Sequence, residues 1–166
     1  MDGFFTEFAV PVNAGSYTEE TIAESINADG VIAGWYGACG NGSGNGETGG
    51  FVRSPQGIFT FFNPPGTLVV PPGPNLFSPE STEQSLTAPR TLSINDQGAI
   101  AGSYTDAAGA QHGFVRNPYG TITSFDPPRG RQTTATGVND GGVIAGWYFY
   151  DWNAGIAQGF LRVPKP

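Results

Sequence analysis

The sequence is poor in cysteine, histidine and basic residues, and each shortage excludes a class of protein. Of 166 residues, one is cysteine and one is histidine. Cys39 therefore has no partner for a disulfide within the chain, and no His/Cys cluster is present for zinc. Seven Lys and Arg against 14 Asp and Glu give a formal net charge of −7. A chain this acidic lacks the basic surface that binds nucleic acid or an anionic membrane, so we expect neither partner.

Long apolar runs and enzyme motifs are missing too. No apolar stretch approaches the roughly 20 residues of a membrane-spanning helix, so we expect no membrane insertion. The chain does not open with the charged-then-apolar pattern of an export signal. Residues 42–44 read Gly-Ser-Gly, but the Gly-x-Ser-x-Gly nucleophile motif and a phosphate-binding loop before a helix are absent. With His112 as the only histidine, we expect no enzymatic activity, no catalytic residue and no cofactor.

Glycine and proline, by contrast, are abundant, with 26 and 14 residues. Aromatic residues make up 13% of the chain, and charged residues also 13%, which is about half the usual share. The glycines recur at fixed places in a repeat, which argues against disorder. These features predict one all-β domain over residues 1–166, with short strands and many turns.

One stretch occurs three times, at residues 26–36, 94–104 and 138–148. In each copy Asn and Gly lie between two apolar runs, which is typical of a tight hairpin. The small Ala and Gly of the second run indicate close approach of a neighbouring sheet. A Gly-Phe strand ending in Arg follows, and then a strand that proline ends. Each repeat therefore predicts four short antiparallel strands.

The predicted units span residues 21–65, 90–128 and 134–166. Asn95 and Asn139 are 44 residues apart, a normal length for a propeller blade. Residues 12–25 are predicted to be a polar connection, and the Pro-rich residues 66–89 a surface loop. Residues 3–11 match the fourth strand of a unit, and the last unit lacks that strand. We therefore expect one blade to be closed by the N- and C-terminal strands.

A propeller-like fold raises a geometric problem, because propellers have about four to eight blades and this chain has three units. We expect a homodimer that completes a six-bladed ring. A β-trefoil is the alternative, since it builds three four-stranded units as a monomer. A fragment of a longer propeller is a further alternative.

The pattern Asn-Asp-x-Gly-x-Ile-x-Gly-x-Tyr, followed by His-Gly-Phe and Phe-Asp-x-Pro, resembles the bacterial extracellular HAF-type repeat family. The middle unit carries it best, at Asn95, His112 and Asp126, whereas Gly49 and Gln158 replace the histidine in the outer units. The resemblance implies a propeller-like fold and an extracellular or periplasmic location. It implies no catalytic residue.

The candidate ligand-binding residues are aromatic and arginine side chains at equivalent places in the repeats. Flat rings bind sugars by stacking, although the same rings would also suit a core between blades. The repeated arginines would bind anions in a channel, or else pair with a carboxylate or a carbonyl. The Asn/Asp-Gly turns offer oxygen ligands for calcium, but turn chemistry accounts for them, so we predict no metal site. The candidates are Trp35, Tyr36, Tyr104, Trp147, Tyr148, Trp152, Arg53, Arg116 and Arg162.

These observations predict a non-enzymatic binding module of an exported bacterial protein, with a carbohydrate as the ligand. The alternative is a structural or assembly propeller that contacts protein partners. In that case the 66–89 loop and the aromatic-rich residues 149–153 would carry the contact.

Overall fold

The computed structural model describes residues 3–11, 16–40, 47–67, 89–151 and 154–165. These residues form eleven antiparallel strands in three sheets, so the all-β prediction is confirmed. They include no helix with the length and apolar character that a membrane crossing requires. The strands are β1 Ser16–Ile26, β2 Ile32–Gly40, β3 Glu47–Arg53, β4 Phe59–Phe62, β5 Arg90–Ile94, β6 Ile100–Thr105, β7 Gln111–Arg116, β8 Ile122–Phe125, β9 Arg131–Val138, β10 Ile144–Asp151 and β11 Ile156–Arg162.

Each sheet corresponds to one sequence repeat. The first sheet contains β1 to β4 and the second β5 to β8, both in chain order, and the third contains β9, β10 and β11. We call them unit 1, unit 2 and unit 3. Neighbouring strands follow one another in sequence because short turns join antiparallel strands without a crossover.

The first hairpin of every unit turns on the repeated asparagine. In unit 2, Asn95 Oδ1 accepts a hydrogen bond from the amide of Ala99 at 2.8 Å, and Gly98 has a φ of 80°. The equivalent amides of units 1 and 3 donate to Asn27 and Asn139, both at 2.9 Å. Glycine adopts a positive φ without strain, so the Asn-to-Gly spacing forms the predicted hairpins.

Phenylalanine rings join the three units. Phe62 of β4 packs on Phe114 of unit 2 with 6.1 Å between ring centroids, and Phe125 of β8 packs on Phe160 of unit 3 at 5.9 Å. Phe51 and Phe114 are fully buried. Rings of this size bury a large apolar area, at about 25 cal/mol per Å², and so stabilise the contacts between sheets. Unit 2 thus lies between units 1 and 3.

The prediction of a polar connection over residues 12–25 is wrong from Ser16 onward. β1 begins at Ser16 and pairs with β2 from Ser16 opposite Gly40 to Ile26 opposite Ile32. Backbone pairing forms this strand although its sequence is polar, because strand preference depends on the neighbouring strand more than on composition.

The N-terminal segment also differs from the prediction. Residues 3–11 belong to no strand, and β11 pairs with β10 alone among the described strands. The segment lies on unit 1, where Phe8 contacts Phe51 and Phe59 at 6.4 and 6.1 Å and the amide of Val10 donates to Thr21 Oγ1 at 3.2 Å. Because unit 2 separates unit 1 from unit 3, the segment does not complete unit 3 within the chain. Most of the predicted loop 66–89 lies outside the described residues.

Candidate ligand-binding site

His112 lies between two carboxylates at one end of unit 2. Its Nδ1 is 2.6 Å from Asp126 Oδ2, and its Nε2 is 3.1 Å from Asp106 Oδ2. His112 is in β7, while Asp106 directly follows β6 and Asp126 directly follows β8. The register pairs Gly113 with Phe125, so one further step sets His112 opposite Asp126.

Two carboxylates on one imidazole favour its charged form. Only the imidazolium has a proton on each nitrogen and can donate to both oxygens. Partial burial opposes this charge, but the hydrogen bonds to Asp126 and Asp106 outweigh burial and raise the pKa of His112. The amide of Ala110, and then His112, lower the pKa of Asp106. Thr133 of unit 3 donates to the other oxygen of Asp126 at 2.5 Å, so the cluster also joins units 2 and 3.

A cavity of about 340 Å³ opens beside this cluster, and we call it the His112 cavity. Its polar lining includes His112, Asp126, Arg131 and Gln132. The side chains of Arg131 and Gln132 make no hydrogen bond or ion pair within the described part of the chain. Gln132 has a φ of 53°, a left-handed conformation that costs a non-glycine residue about 1–3 kcal/mol. Strained backbone of this kind is concentrated at binding and catalytic sites.

A second cavity, of about 450 Å³, shares Asp126 with the first and runs along β11. We call it the β11 cavity. Its walls include the rings of Phe125, Tyr148 and Phe160 and the guanidinium of Arg162. Asp126 therefore lines both cavities, the first together with His112, Arg131 and Gln132 and the second together with aromatic rings.

Three of the predicted aromatic residues are buried, with Trp35 at 5%, Tyr36 at 8% and Tyr104 at 6% exposure. The indole nitrogen of Trp35 donates to Glu24 Oε1 at 3.1 Å, and the Arg90 guanidinium of unit 2 lies 4.1 Å from its ring. A ring enclosed in this way is part of the packing between units 1 and 2.

The aromatic pair of unit 3 is more accessible. Trp147 is 39% exposed, and its ring is perpendicular to that of Phe149 with 5.5 Å between the ring centroids. Tyr148 lines the β11 cavity and donates its hydroxyl to Gln158 Oε1 at 3.0 Å. Trp152 lies outside the described residues. Unit 3 therefore carries the predicted aromatic side chains that a ligand can reach in this structure.

The three predicted arginines stack on phenylalanines. The guanidinium carbons lie 4.6, 5.4 and 4.9 Å from the ring centroids in the pairs Arg53 with Phe8, Arg116 with Phe62, and Arg162 with Phe125. Nη1 of Arg53 and of Arg116 donates to the carbonyl of the following residue, at 3.4 Å in both, and their Nε atoms are buried without a partner. Burial lowers the pKa of Arg116. Arg162 also lines the β11 cavity.

The sequence did not single out Asp106, Arg131 or Gln132. A shift in the register between β9 and β10 gives Arg131 and Gln132 their place, and no residue pattern marks such a bulge. Within the described residues, no group of three or more His, Cys, Asp or Glu side chains is arranged to hold a metal ion. Comparison with known protein families, curated proteins and solved structures finds no match to this chain.

Proposed function

We propose that this chain is a non-enzymatic binding module and that its ligand is a carbohydrate bound in the His112 cavity. The observation that carries the proposal is the pair of uncommitted side chains, Arg131 and Gln132, beside the fixed carboxylate of Asp126. Sugar hydroxyls both donate and accept hydrogen bonds. Asp126 supplies acceptors, Arg131 supplies donors and Gln132 supplies both.

The size and surroundings of the cavity support the same ligand class. A volume of about 340 Å³ lies within the range of about 300–1,000 Å³ for small-molecule sites. The ring of Tyr148 lies beside Gly130, which also lines the cavity: a Cβ on that glycine would be 3.1 Å from the ring. Aromatic rings close to polar groups are how proteins usually hold pyranose rings.

We propose further that the three units are blades of a propeller-like assembly in an exported protein of the HAF-repeat type. Three sheets of equivalent sequence, with strands in chain order, support blades over the β-trefoil alternative. The location is proposed on the family resemblance alone.

The test is binding of neutral oligosaccharides, first on a glycan array and then by calorimetry. Arg131→Ala is expected to weaken binding at least about 10-fold, as a lost charged hydrogen bond is worth about 1.5–3 kcal/mol. Arg129→Ala is the matched control, because Arg129 lies in the turn just before β9 and does not line the cavity. A protein that binds no glycan, or that binds equally well after Arg131→Ala, would contradict the proposal.

A structural or assembly module is the second candidate function. Apolar side chains of unit 3 are left exposed, with Leu161 at 72% and Val163 at 66%. Exposed apolar patches on soluble proteins commonly mark protein contacts.

A further inference from the structure

The N-terminal segment occupies the place on unit 1 that β4 occupies on unit 2 and β8 on unit 3. Three phenylalanines at matching repeat positions each lie against a phenylalanine of the following unit: Phe8 on Phe51, Phe62 on Phe114, and Phe125 on Phe160, at 6.4, 6.1 and 5.9 Å. An arginine of the following unit also lies over the ring of Phe8, of Phe62 and of Phe125. Residues 3–11 therefore correspond in position to a fourth strand, although they pair with no sheet in the single chain.

Unit 3 is a sheet that lacks its fourth strand. Gly50 and Gly113 lie under the rings of Phe62 and Phe125, and a Cβ on these glycines would be 2.5 and 2.8 Å from the ring atoms. Gly159 holds the same position in β11. There the only described atom within 4 Å of a Cβ would be a backbone oxygen at 3.7 Å. The glycine is present in unit 3, but no ring covers it.

The β11 cavity marks the unfilled place. In unit 2 the corresponding space holds Ser124 of β8, whose hydroxyl is 2.8 Å from the hydroxyl of Tyr104. In unit 1 it holds Phe61 of β4, whose ring lies 5.3 Å from Tyr36. In unit 3 the equivalent tyrosine, Tyr148, lines open space instead.

We propose that residues 5–8 of a second copy of this chain fill the β11 cavity and pair with β11 as its fourth strand. The registers of β3 with β4 and of β7 with β8, extended to unit 3, set Phe8 opposite Gly159 and Phe5 opposite Arg162. Phe5 is fully exposed in the single chain, and we expect it to become half-buried on pairing, as Phe59 and Ile122 are at the equivalent positions. Addition of a strand to an open sheet edge satisfies backbone groups that are otherwise left to water.

A second copy is the occupant because the chain's own segment is held on unit 1, with unit 2 in between. Pairing between copies sets unit 3 of one against unit 1 of the other, which continues the interface that already joins units 1 to 2 and 2 to 3. In this arrangement Trp147 of one copy contacts Ile22 of the other, at the positions where Trp35 and Arg90 contact each other within the chain. Both side chains are partly exposed in the single chain, at 39% and 40%. Two such junctions close a ring of about six units, within the range of about four to eight for propellers. The inference does not depend on carbohydrate binding.

The mass of the full chain in solution, measured by light scattering over a wide concentration range, tests the inference. We expect twice the 17.3 kDa of one chain. Gly159→Val is expected to weaken association at least about 10-fold, because the valine side chain occupies the space that the ring of Phe8 from the second copy would fill. In the single chain a Cβ at this position makes no close contact, so we expect the variant to fold. Ala157→Val, in the exposed part of β11 outside the proposed pairs, is the control. A monomeric wild type overturns the inference, as does a dimer that tolerates Gly159→Val.

A disulfide identifies the strands that meet. One copy carries Thr6→Cys and the other Leu161→Cys, both in a Cys39→Ala background, since the proposed register sets residues 6 and 161 opposite each other. Opposite Cβ atoms in a sheet lie about 4.5–5.5 Å apart, near the reach of a disulfide. We expect the mixed dimer to form on oxidation, whereas Thr6→Cys with Ala157→Cys should not react. Absence of the first disulfide overturns the inference, and glycan binding measured on the same protein tests the proposed function separately.

Discussion

The side-chain amide of Asn95 donates to the backbone carbonyl of Asn139 at 2.9 Å, across the boundary between units 2 and 3. Asn27 donates to the carbonyl of Asn95 in the same way, at 3.2 Å. Each of these asparagines also closes the hairpin of its own unit through Oδ1. One repeated residue therefore couples the local turn to the packing of successive units.

This double role predicts that Asn95→Ala is more destabilising than Asn139→Ala. Asn95 is buried and loses two hydrogen bonds, which we expect to cost about 1–3 kcal/mol of the free energy of unfolding. In the single chain Asn139 is exposed and loses the turn bond alone within the described residues, at about 1 kcal/mol or less, so the comparison is made at concentrations where the protein is monomeric. Urea unfolding followed by tryptophan fluorescence gives both values. Equal losses would show that the bond between units contributes nothing.

The glycine in the second strand of each unit predicts a second contrast. A Cβ at Gly146 would be 2.1 Å from the carbonyl oxygen of Thr134. Gly146→Ala is therefore expected to lower the free energy of unfolding by about 1–3 kcal/mol. Gly137, in the neighbouring strand, has no described atom within 4 Å of a Cβ. Gly137→Ala should be neutral or stabilising by up to about 1 kcal/mol. Thermal unfolding of the two variants checks the difference, and a neutral Gly146→Ala would refute the steric explanation.

These glycines also show how far the sequence predicts the fold. The repeat and its turns predict three units of short antiparallel strands. The small residues of the second strand predict that a neighbouring sheet packs closely against this strand. The approaching group at Gly146 is in fact a carbonyl of the adjacent strand, brought close by a bulge between β9 and β10. Bulges and the place of residues 3–11 depend on register and packing, which residue patterns do not specify.

The site could be predicted in part. The hairpin of β7 and β8 sets His112 opposite Asp126. The turn from Asn117 to Gly120 is visible in the sequence, and pairing the residues on either side of it outward from the turn would have brought these two residues together. Asp106 reaches the other ring nitrogen only through the hairpin of β6 and β7. The conformation of Gln132 depends on the bulge in β9, so the sequence carries no signal for it.

The carboxylate cluster around His112 predicts a pH dependence of stability. The pKa of His112 is raised in the folded chain, so its contribution is complete below the ordinary value of 6.5 and is lost as pH rises through the folded-state pKa. The pKa of Asp106 is lowered, so its contribution is present above the ordinary value of 3.8 and is lost as pH falls through the folded-state pKa. We expect this cluster to stabilise the fold most between about pH 4 and 6.5.

His112→Gln is the matched variant, since it keeps a side-chain donor but does not titrate. Stability curves of the variant should be flatter than those of the wild type on the alkaline side of pH 6.5. His112 is the only histidine, so proton NMR of the imidazole reports its pKa without assignment. A titration midpoint at or below 6.5 in the folded protein would contradict the proposed imidazolium.

The proposed junction between two copies would lack two hydrogen bonds that join units within the chain. The amide of Asp96 donates to Asp140 Oδ1 at 3.0 Å, and a backbone amide of unit 3 donates to Ser93 Oγ at 3.3 Å. The same two bonds join units 1 and 2. Where unit 3 would meet unit 1 of a second copy, Ala28 stands in place of the aspartate and Gly137 in place of the serine, so neither bond could form.

Ala28→Asp is therefore expected to tighten the proposed dimer. The new carboxylate would accept from the amide of Asp140 in the other copy, and an added hydrogen bond of about 0.5–1.5 kcal/mol corresponds to roughly 3- to 10-fold tighter association. Ala28 is exposed in the single chain, so the stability of the monomer should hardly change. Ala28→Val, which adds bulk without an acceptor, is the control. Sedimentation equilibrium gives the three dissociation constants. If Ala28→Asp associates no more tightly than Ala28→Val, the junction between copies does not repeat the junctions within the chain.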